Sequence, residues 1–295
     1  MHSGRSRSSS TPRVSRRIHR AIIVIAARVP SGTLLDRGRD AGRAGWTVAG
    51  EPMTAADAVP VVFVHGTRFS AGQWSAQLAA LRDEFPTTAV DLPGHGKRSA
   101  QPWSLSGATE VIASAVDSLG HGPALVVGHS LGGYASLEFA RHRPEQLRGL
   151  VLAGASASTR GLRTAPYRWG ARLVPRIPAD RLTRWNDLLL RRLYPPEVVE
   201  ATIRSGYAFH TLPTAWGEVL GRFDADAMRH VSAPVLILNG EKDAFFRAQE
   251  ADFARAHPQA RVELIPRARH LANFDAPAAF TDAVRRFARQ LSATG

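Results

Sequence analysis

From Val59 onward, short apolar runs alternate with stretches of helical spacing, and this alternation narrows the possible folds more than any other feature. VPVVFVHG (59–66), TTAVDLPGHG (87–96), PALVVGHS (123–130), LRGLVLAGAS (147–156), APVLILNGEKD (233–243) and ARVELIPRARH (260–270) are brief, largely β-branched and bounded by Gly or Pro. Such runs read as buried strands. Between them lie stretches with helical spacing, as at Trp74, Leu78, Leu81 and Phe85. Further helices are expected over 106–120, which Gly120 stops, over 132–146, which Pro144 closes, near 247–256, and from Pro277 to Leu291. Repeated strand–helix alternation predicts an α/β fold with a mainly parallel, doubly wound sheet covered on both faces. Ligands of such sheets bind at the carboxyl ends of the strands.

Two regions break the rhythm. Residues 157–229 are rich in Arg, Trp and Tyr and contain no strand run, so they read as a helical cap inserted between core segments 53–156 and 230–295. Residues 1–52 are Ser/Arg-rich and aperiodic at the start and read as a disordered or dispensable extension, or an over-extended translation start. RRIHRAIIVIAARVPSG, within that extension, has a basic head and a short apolar stretch. It offers a twin-arginine-like export signal as the alternative to a cytoplasmic location.

Composition removes several classes of function. The chain has no cysteine, which excludes disulfides, thiol catalysis and Cys-ligated zinc. No apolar run approaches membrane-spanning length. HExxH, an EF-hand loop, GxxxxGK[ST] and a complete dinucleotide fingerprint are all missing, so neither a metal nor a cofactor is expected. The net charge of +13 suggests nucleic acid, but ten arginines against three acids in residues 1–52 carry +7 of it. The remaining basic residues are scattered rather than aligned on one face, and no nucleic-acid partner is expected.

The chemistry is concentrated in ALVVGHSLGGYASLEFA (124–140), where a buried strand meets a helix at one serine between glycines. A tight turn with a serine cap would account for the pattern. A nucleophile elbow, which exposes a serine oxygen to substrate, accounts for it equally well. A serine hydroxyl needs a base to remove its proton and a third group to orient that base. In chain order these are Ser, an acid and His. Beyond the resumed sheet lie His257, at a helix end, and His270, in a loop after a strand, and the latter fits the base. For the acid, Asp243 is favoured over Glu241 because the Asn239-Gly240 turn gives it room to approach His270. Asp224 and Asp226 read as helix caps. The oxyanion needs backbone N–H donors, expected from Leu131 and from Thr67 in the loop after the first strand. His65 either joins that site or braces its loop.

With these residues assigned, positions 59–292 resemble the α/β-hydrolase fold superfamily. The motifs are His65-Gly66 with Trp74 downstream, Asp91-Leu92-Pro93-Gly94-His95-Gly96, Gly128-His129-Ser130-Leu131-Gly132-Gly133, Gly240-Glu241-Lys242-Asp243 and the late His270. The family's N-terminal β-hairpin is not evident before Val59, where GWTVAG (45–50) is a poor remnant. Ser99 falls one residue later than the family's spacing and receives no role.

The resemblance implies a serine hydrolase acting on a carboxylic ester or lactone through an acyl-Ser130 intermediate, with a small ester-like substrate as its partner. A nucleophilic serine argues against haloalkane dehalogenases and epoxide hydrolases, which use aspartate. A C–C bond hydrolase or cofactor-free perhydrolase on the same triad is the enzymatic alternative. A non-catalytic small-molecule receptor is the alternative of another class. Trp74, Trp169, Trp185, Tyr207 and Trp216 are candidate pocket-lining residues, although packing of the cap onto the core would use the same side chains.

Overall fold

The computed structural model describes residues 58–293. Its centre is a six-stranded, wholly parallel sheet of β1 (Val61–Val64), β2 (Thr87–Val90), β3 (Ala124–His129), β4 (Leu147–Ala153), β5 (Val235–Gly240) and β6 (Ala260–Ile265). Their order is β2-β1-β3-β4-β5-β6. All residues of β1, β3 and β5 are buried, which is why these strands are runs of Val, Leu, Ile and Phe rather than alternating patterns. The α/β fold expected from the sequence is therefore the one observed.

Parallel neighbours need crossovers, and helices supply them. α1 (Ser75–Leu81) joins β1 to β2, α2 (Leu105–Leu119) joins β2 to β3, and α3 (Leu131–His142) joins β3 to β4. The Ser104 hydroxyl caps α2 by accepting the Gly107 N–H at 3.0 Å, and Gly120 ends it in the left-handed region at φ 69°. Past β5, the single expected helix near 247–256 is broken at Ala248-Gln249 into α8 (Ala244–Arg247) and α9 (Glu250–Arg255). The break leaves Gln249 free to accept the Ser158 N–H at 2.8 Å and Asp243 to cap α8. α10 (Ala272–Asp275) and α11 (Pro277–Ser292) close the described chain. α11 buries Phe280, Ala283, Val284, Phe287 and Leu291 in the main core, where it meets β4 and β6.

Between β4 and β5 the chain is entirely helical: α4 (Ala165–Leu173), α5 (Ala179–Leu193), α6 (Pro196–Arg204) and α7 (Leu212–Val219), linked by short 3-10 turns. A second apolar cluster ties this segment to the sheet's loops. It joins Leu190, Tyr194, Val198 and Val199 to Phe69 and Phe274. Backbone contacts reinforce it, with Ala208 N–H on the Arg68 carbonyl at 2.9 Å.

Strand order places the site. β1 and β3 are neighbours, but the chain leaves β1 toward β2 and leaves β3 toward β4. The loops at their carboxyl ends diverge and open a crevice there. The stretch 45–50 considered for an N-terminal strand, and the extension 1–52 as a whole, lie outside the described residues.

Candidate active site

Ser130 sits at the crevice, between the end of β3 and the first turn of α3. Its backbone has φ 53° and ψ −115°, a conformation that side chains other than glycine rarely adopt. The Ser130 N–H donates to the Ala153 carbonyl at 2.9 Å, which anchors the turn to β4. The flanking glycines answer to close packing. A Cβ on Gly132 would lie 2.4 Å from the Val64 carbonyl oxygen, and one on Gly133 would lie 2.3 Å from Ala155 Cβ.

Asp243 follows β5 by three residues, and its two carboxylate oxygens serve different partners. Oδ1 accepts the Phe246 N–H at 3.3 Å and so caps α8; Oδ2 accepts His270 Nδ1–H at 2.8 Å. Burial is the largest single influence on Asp243 and pushes its pKa up. The charge and hydrogen bond of His270, the Phe246 N–H and His129 together outweigh burial and leave the pKa below the ordinary value. The carboxylate is therefore ionised at neutral pH and fixes the proton of His270 on Nδ1. Phe246 stacks on the His270 ring at 4.5 Å and 11°. Gly154, at φ 56°, passes beneath the pair: a Cβ there would be 2.8 Å from His270 Nδ1.

Four buried polar side chains hold these parts in register. The Gly66 N–H donates to Gln73 Oε1 at 2.9 Å, and Gln73 Nε2 donates to His129 Nδ1 at 3.1 Å. His129 Nε2–H donates in turn to the His270 carbonyl at 3.0 Å, while Asn273 Nδ2 holds the Gln73 carbonyl at 3.1 Å. Burial, then repulsion from His270, drives the His129 pKa down to about 3, so it acts as a neutral bracket. On the other flank, Asn239 Oδ1 accepts the Gly154 N–H at 3.2 Å, and its Nδ2 donates to Ser156 Oγ and Glu250 Oε2, both at 2.9 Å. Gln73, Asn273 and Gly154 went unassigned in the sequence, and Asn239-Gly240, read there as a turn, instead forms the end of β5. A polar residue ending the apolar run VLILN was the signal available for Asn239.

Asp243 and His270 are thus brought together, and Ser130 adjoins His129, whose Nε2–H meets the His270 carbonyl. Among the described residues no hydrogen bond joins Ser130 Oγ to His270. This is common before substrate draws the groups together. Among the described residues, the N–H groups of Thr67 and Leu131 donate to no protein acceptor. Leu131 opens α3, where a helical N–H lacks an intrahelical partner.

His65 braces its loop: Nδ1–H donates to the Gly66 carbonyl at 2.9 Å, and Nε2 accepts the Leu92 N–H at 3.0 Å. His257 is occupied elsewhere, with Nε2 on the Val231 carbonyl at 2.9 Å. Glu241 is exposed and accepts the Arg267 N–H at 2.7 Å. Asp224 caps a 3-10 turn through the Asp226 N–H. No cluster of potential metal ligands occurs among the described residues.

The aromatic candidates separate into three groups. Trp74 is fully buried and packs on Phe63 and Phe280 in the main core, so it lines no pocket open to substrate. Trp169 is 58% exposed and Trp185 37% exposed on the helical segment. Tyr207 and Trp216 lie inward. The Tyr207 hydroxyl donates to Asp187 at 2.6 Å, and Trp216 packs on Tyr167 at 4.4 Å. Tyr167 also meets Phe245 at 5.3 Å, forming an aromatic wall close enough to Asp243 for the carboxylate to raise its phenol pKa, after burial. The sequence pattern did not single out Tyr167.

Comparison with known proteins gives a consistent picture. A model of the alpha/beta hydrolase family matches residues 61–283. A pimeloyl-[acyl-carrier protein] methyl ester esterase of Nitrosomonas europaea is 30% identical over 234 residues, 74% of this chain and 90% of that protein. The carboxylesterase YbfK of Bacillus subtilis is 26% identical over 75% of this chain and 77% of its own length. Among solved structures, a thermophilic esterase from Thermogutta terrifontis with malate bound superposes with a TM-score of 0.67 at 26% identity. That match covers 79% of this chain and 90% of the esterase.

Proposed function

The chain belongs to the alpha/beta hydrolase family, and on that premise we propose that it hydrolyses carboxylic esters, lactones among them, through an acyl enzyme on Ser130. The observation that carries this reading is the 2.8 Å hydrogen bond between His270 Nδ1 and Asp243 beside a serine in a strained strand-to-helix turn. With Nδ1 engaged, His270 Nε2 has the lone pair that a base requires. It takes the Ser130 proton as Oγ bonds to the acyl carbon, and the carbonyl pair moves onto oxygen. The N–H groups of Thr67 and Leu131 receive that oxyanion. Collapse breaks the ester C–O bond, and the departing alkoxide takes the proton from His270. Water then gives a proton to His270 and attacks the acyl carbon. Ser130 leaves with that proton, and the carboxylic acid is released.

Residues 157–229 act as the cap over this site, with Trp216 and Tyr167 on its inner side and Trp169 and Trp185 on its outer side. The relatives named as esterases support ester chemistry for a chain of this family. A fluorophosphonate probe tests the assignment, with mass spectrometry locating the adduct, alongside a panel of esters, lactones and β-diketones. Labelling of Ser130 in native but not heated protein is expected, together with turnover of esters. The Ser130→Ala variant should be unlabelled and inactive, with an unchanged melting temperature. Absence of both labelling and turnover would remove the enzymatic reading, and exclusive cleavage of β-diketones would replace the ester with a C–C bond.

A further inference from the structure

Arg68, the residue immediately after Thr67, is not accounted for by the chemistry above. It is half-buried, and its backbone is in the left-handed region at φ 64°, which costs a residue with a Cβ. The guanidinium lies over the Phe69 ring, with Cζ 4.5 Å from the centroid, and Nε donates to Asn186 Oδ1 on α5 at 2.9 Å. Its position between the loop after β1 and the helical segment is therefore fixed by stacking and by a hydrogen bond. Its charge reaches His129 behind the catalytic histidine and contributes to that residue's lowered pKa.

Among the other part-buried arginines, Arg269 holds Asp275, Arg285 holds Glu84 and Arg247 holds Glu250, while Arg148 rests on the Leu291 carbonyl and Arg98 on Gln101. Arg68 pairs with no carboxylate among the described residues. Asp187, on the same helix as Asn186, is engaged by the Tyr207 hydroxyl. Burial without an anion lowers the Arg68 pKa to about 10. A buried cation left unpaired is costly, and here the same locality also holds an unpartnered polar atom. The Thr67 hydroxyl is buried without a hydrogen bond, while Asn186 Nδ2 lies against the Tyr207 phenol. The guanidinium's terminal N–H groups and the Thr67 hydroxyl can both donate, and they belong to adjacent residues beside the Thr67 N–H. Together they call for an acceptor carrying negative charge.

We propose that Arg68, positioned by Asn186 and joined by the Thr67 hydroxyl, forms an anion subsite that binds a carboxylate on the substrate itself, so that the preferred substrates are half-esters of dicarboxylic acids. A single unpaired positive charge matches a single carboxylate, and the planar guanidinium fork fits its two oxygens. Because Thr67 also supplies the oxyanion N–H, the bound carboxylate lies a few carbons from the scissile carbonyl. This inference rests on the ester-hydrolase reading for its kinetic consequences but not for binding, so the two can fail separately.

The test uses matched 4-nitrophenyl esters of straight-chain acids and of the corresponding diacids, in which the terminal methyl is replaced by carboxylate. Calorimetric titration of the full chain with glutarate and with its uncharged diamide runs in parallel. Wild type should favour the carboxylate-ended ester in kcat/KM at its best chain length. Arg68→Gln should reduce that preference roughly 10- to 100-fold, chiefly through KM. Arg68→Lys should restore part of it, and glutarate but not the diamide should bind wild type. Equal loss on both esters in Arg68→Gln would reveal a merely structural arginine and overturn the proposal. A wild-type preference for the methyl-ended ester, or no binding of glutarate, would overturn it without any variant. If no ester turns over but glutarate still binds through Arg68, the subsite stands and the hydrolase reading falls.

Discussion

The carboxyl edge of the sheet and the helical segment above it follow opposite rules. At the sheet edge, Gln73, His129 and Asn239 are buried, and each takes part in at least two hydrogen bonds to groups more than fifty residues away. On the helical segment, Leu162 is 93% exposed, Leu188 68% and Trp169 58%, and arginines cover the outer faces. Polar groups are buried where reacting atoms must be held still, whereas apolar groups are exposed where nothing demands one arrangement. On the reading proposed above, the reaction belongs to the sheet edge, and the choice of substrate to Arg68 at that edge and to the inner side of the helices.

The largest expected effect comes from removing charge at the sheet edge without removing shape. Asp243→Asn keeps an N-cap for α8, since asparagine caps about as well as aspartate. It should nevertheless lower kcat by about 10⁴, because it favours the wrong tautomer of His270. Near-normal kcat with an intact circular dichroism spectrum would dismiss Asp243 as the orienting acid.

Gly154→Ala comes next. The added methyl meets His270 Nδ1 and must also adopt a positive φ, so the base is displaced. A loss on the order of 100-fold in kcat/KM is expected, since small misplacements of reacting groups cost about that much. A loss below twofold would show that the pair tolerates movement and would weaken the contrast drawn here.

Stability against pH probes the same edge more gently. Burial lowers the pKa of His95 to about 4 and of His129 to about 3, and it takes His65 well below its ordinary value. In the unfolded chain these rings accept protons near pH 6.5, so below that point the unfolded state binds more protons and folding stability falls. The lowered pKa of Asp243 acts in the same sense at still lower pH, because its contribution is lost as the carboxylate protonates. The melting temperature should therefore fall steadily from pH 7 to pH 4. His95→Gln should make that slope shallower; an unchanged slope would mean that His95 is not buried as a neutral ring.

The smallest effect belongs to the other region. Leu188→Ser and Trp169→Ser each remove exposed apolar surface and should change stability by no more than about 0.5 kcal/mol, as surface substitutions do. They should also leave kcat/KM on simple esters within twofold. A large loss in either would show that the outer face of the segment takes part in the reaction.

The difference between the regions also explains what could be read from the sequence. Six strands were legible because buried parallel strands are unbroken apolar runs, and the proposed triad of Ser130, Asp243 and His270 could be picked out because each follows such a run at a loop. Trp74 was misassigned because spacing marks an apolar face without saying whether that face meets a crevice or the core. The side chains of Gln73, Asn239 and Arg68 act through partners 56, 85 and 118 residues away at their most distant hydrogen bonds. Such contacts leave no local pattern. The break at Ala248-Gln249 is similarly tertiary, since Gln249 gains an acceptor role only when Ser158 arrives.

The line of hydrogen bonds from Gly66 through Gln73 and His129 to His270 has a consequence for how this protein can change over generations. The two side chains in it, Gln73 and His129, satisfy one another and one backbone group each, so an isolated replacement leaves a dry donor or acceptor stranded. Accepted changes at positions 73 and 129 must therefore arrive as compensated pairs, a rare event, while positions along α5 and α7 can drift one at a time. New substrate ranges are reached by rewriting the helices while the four-member line is inherited intact. A laboratory library that randomises 165–219 and leaves 66, 73, 129 and 270 alone follows the same route.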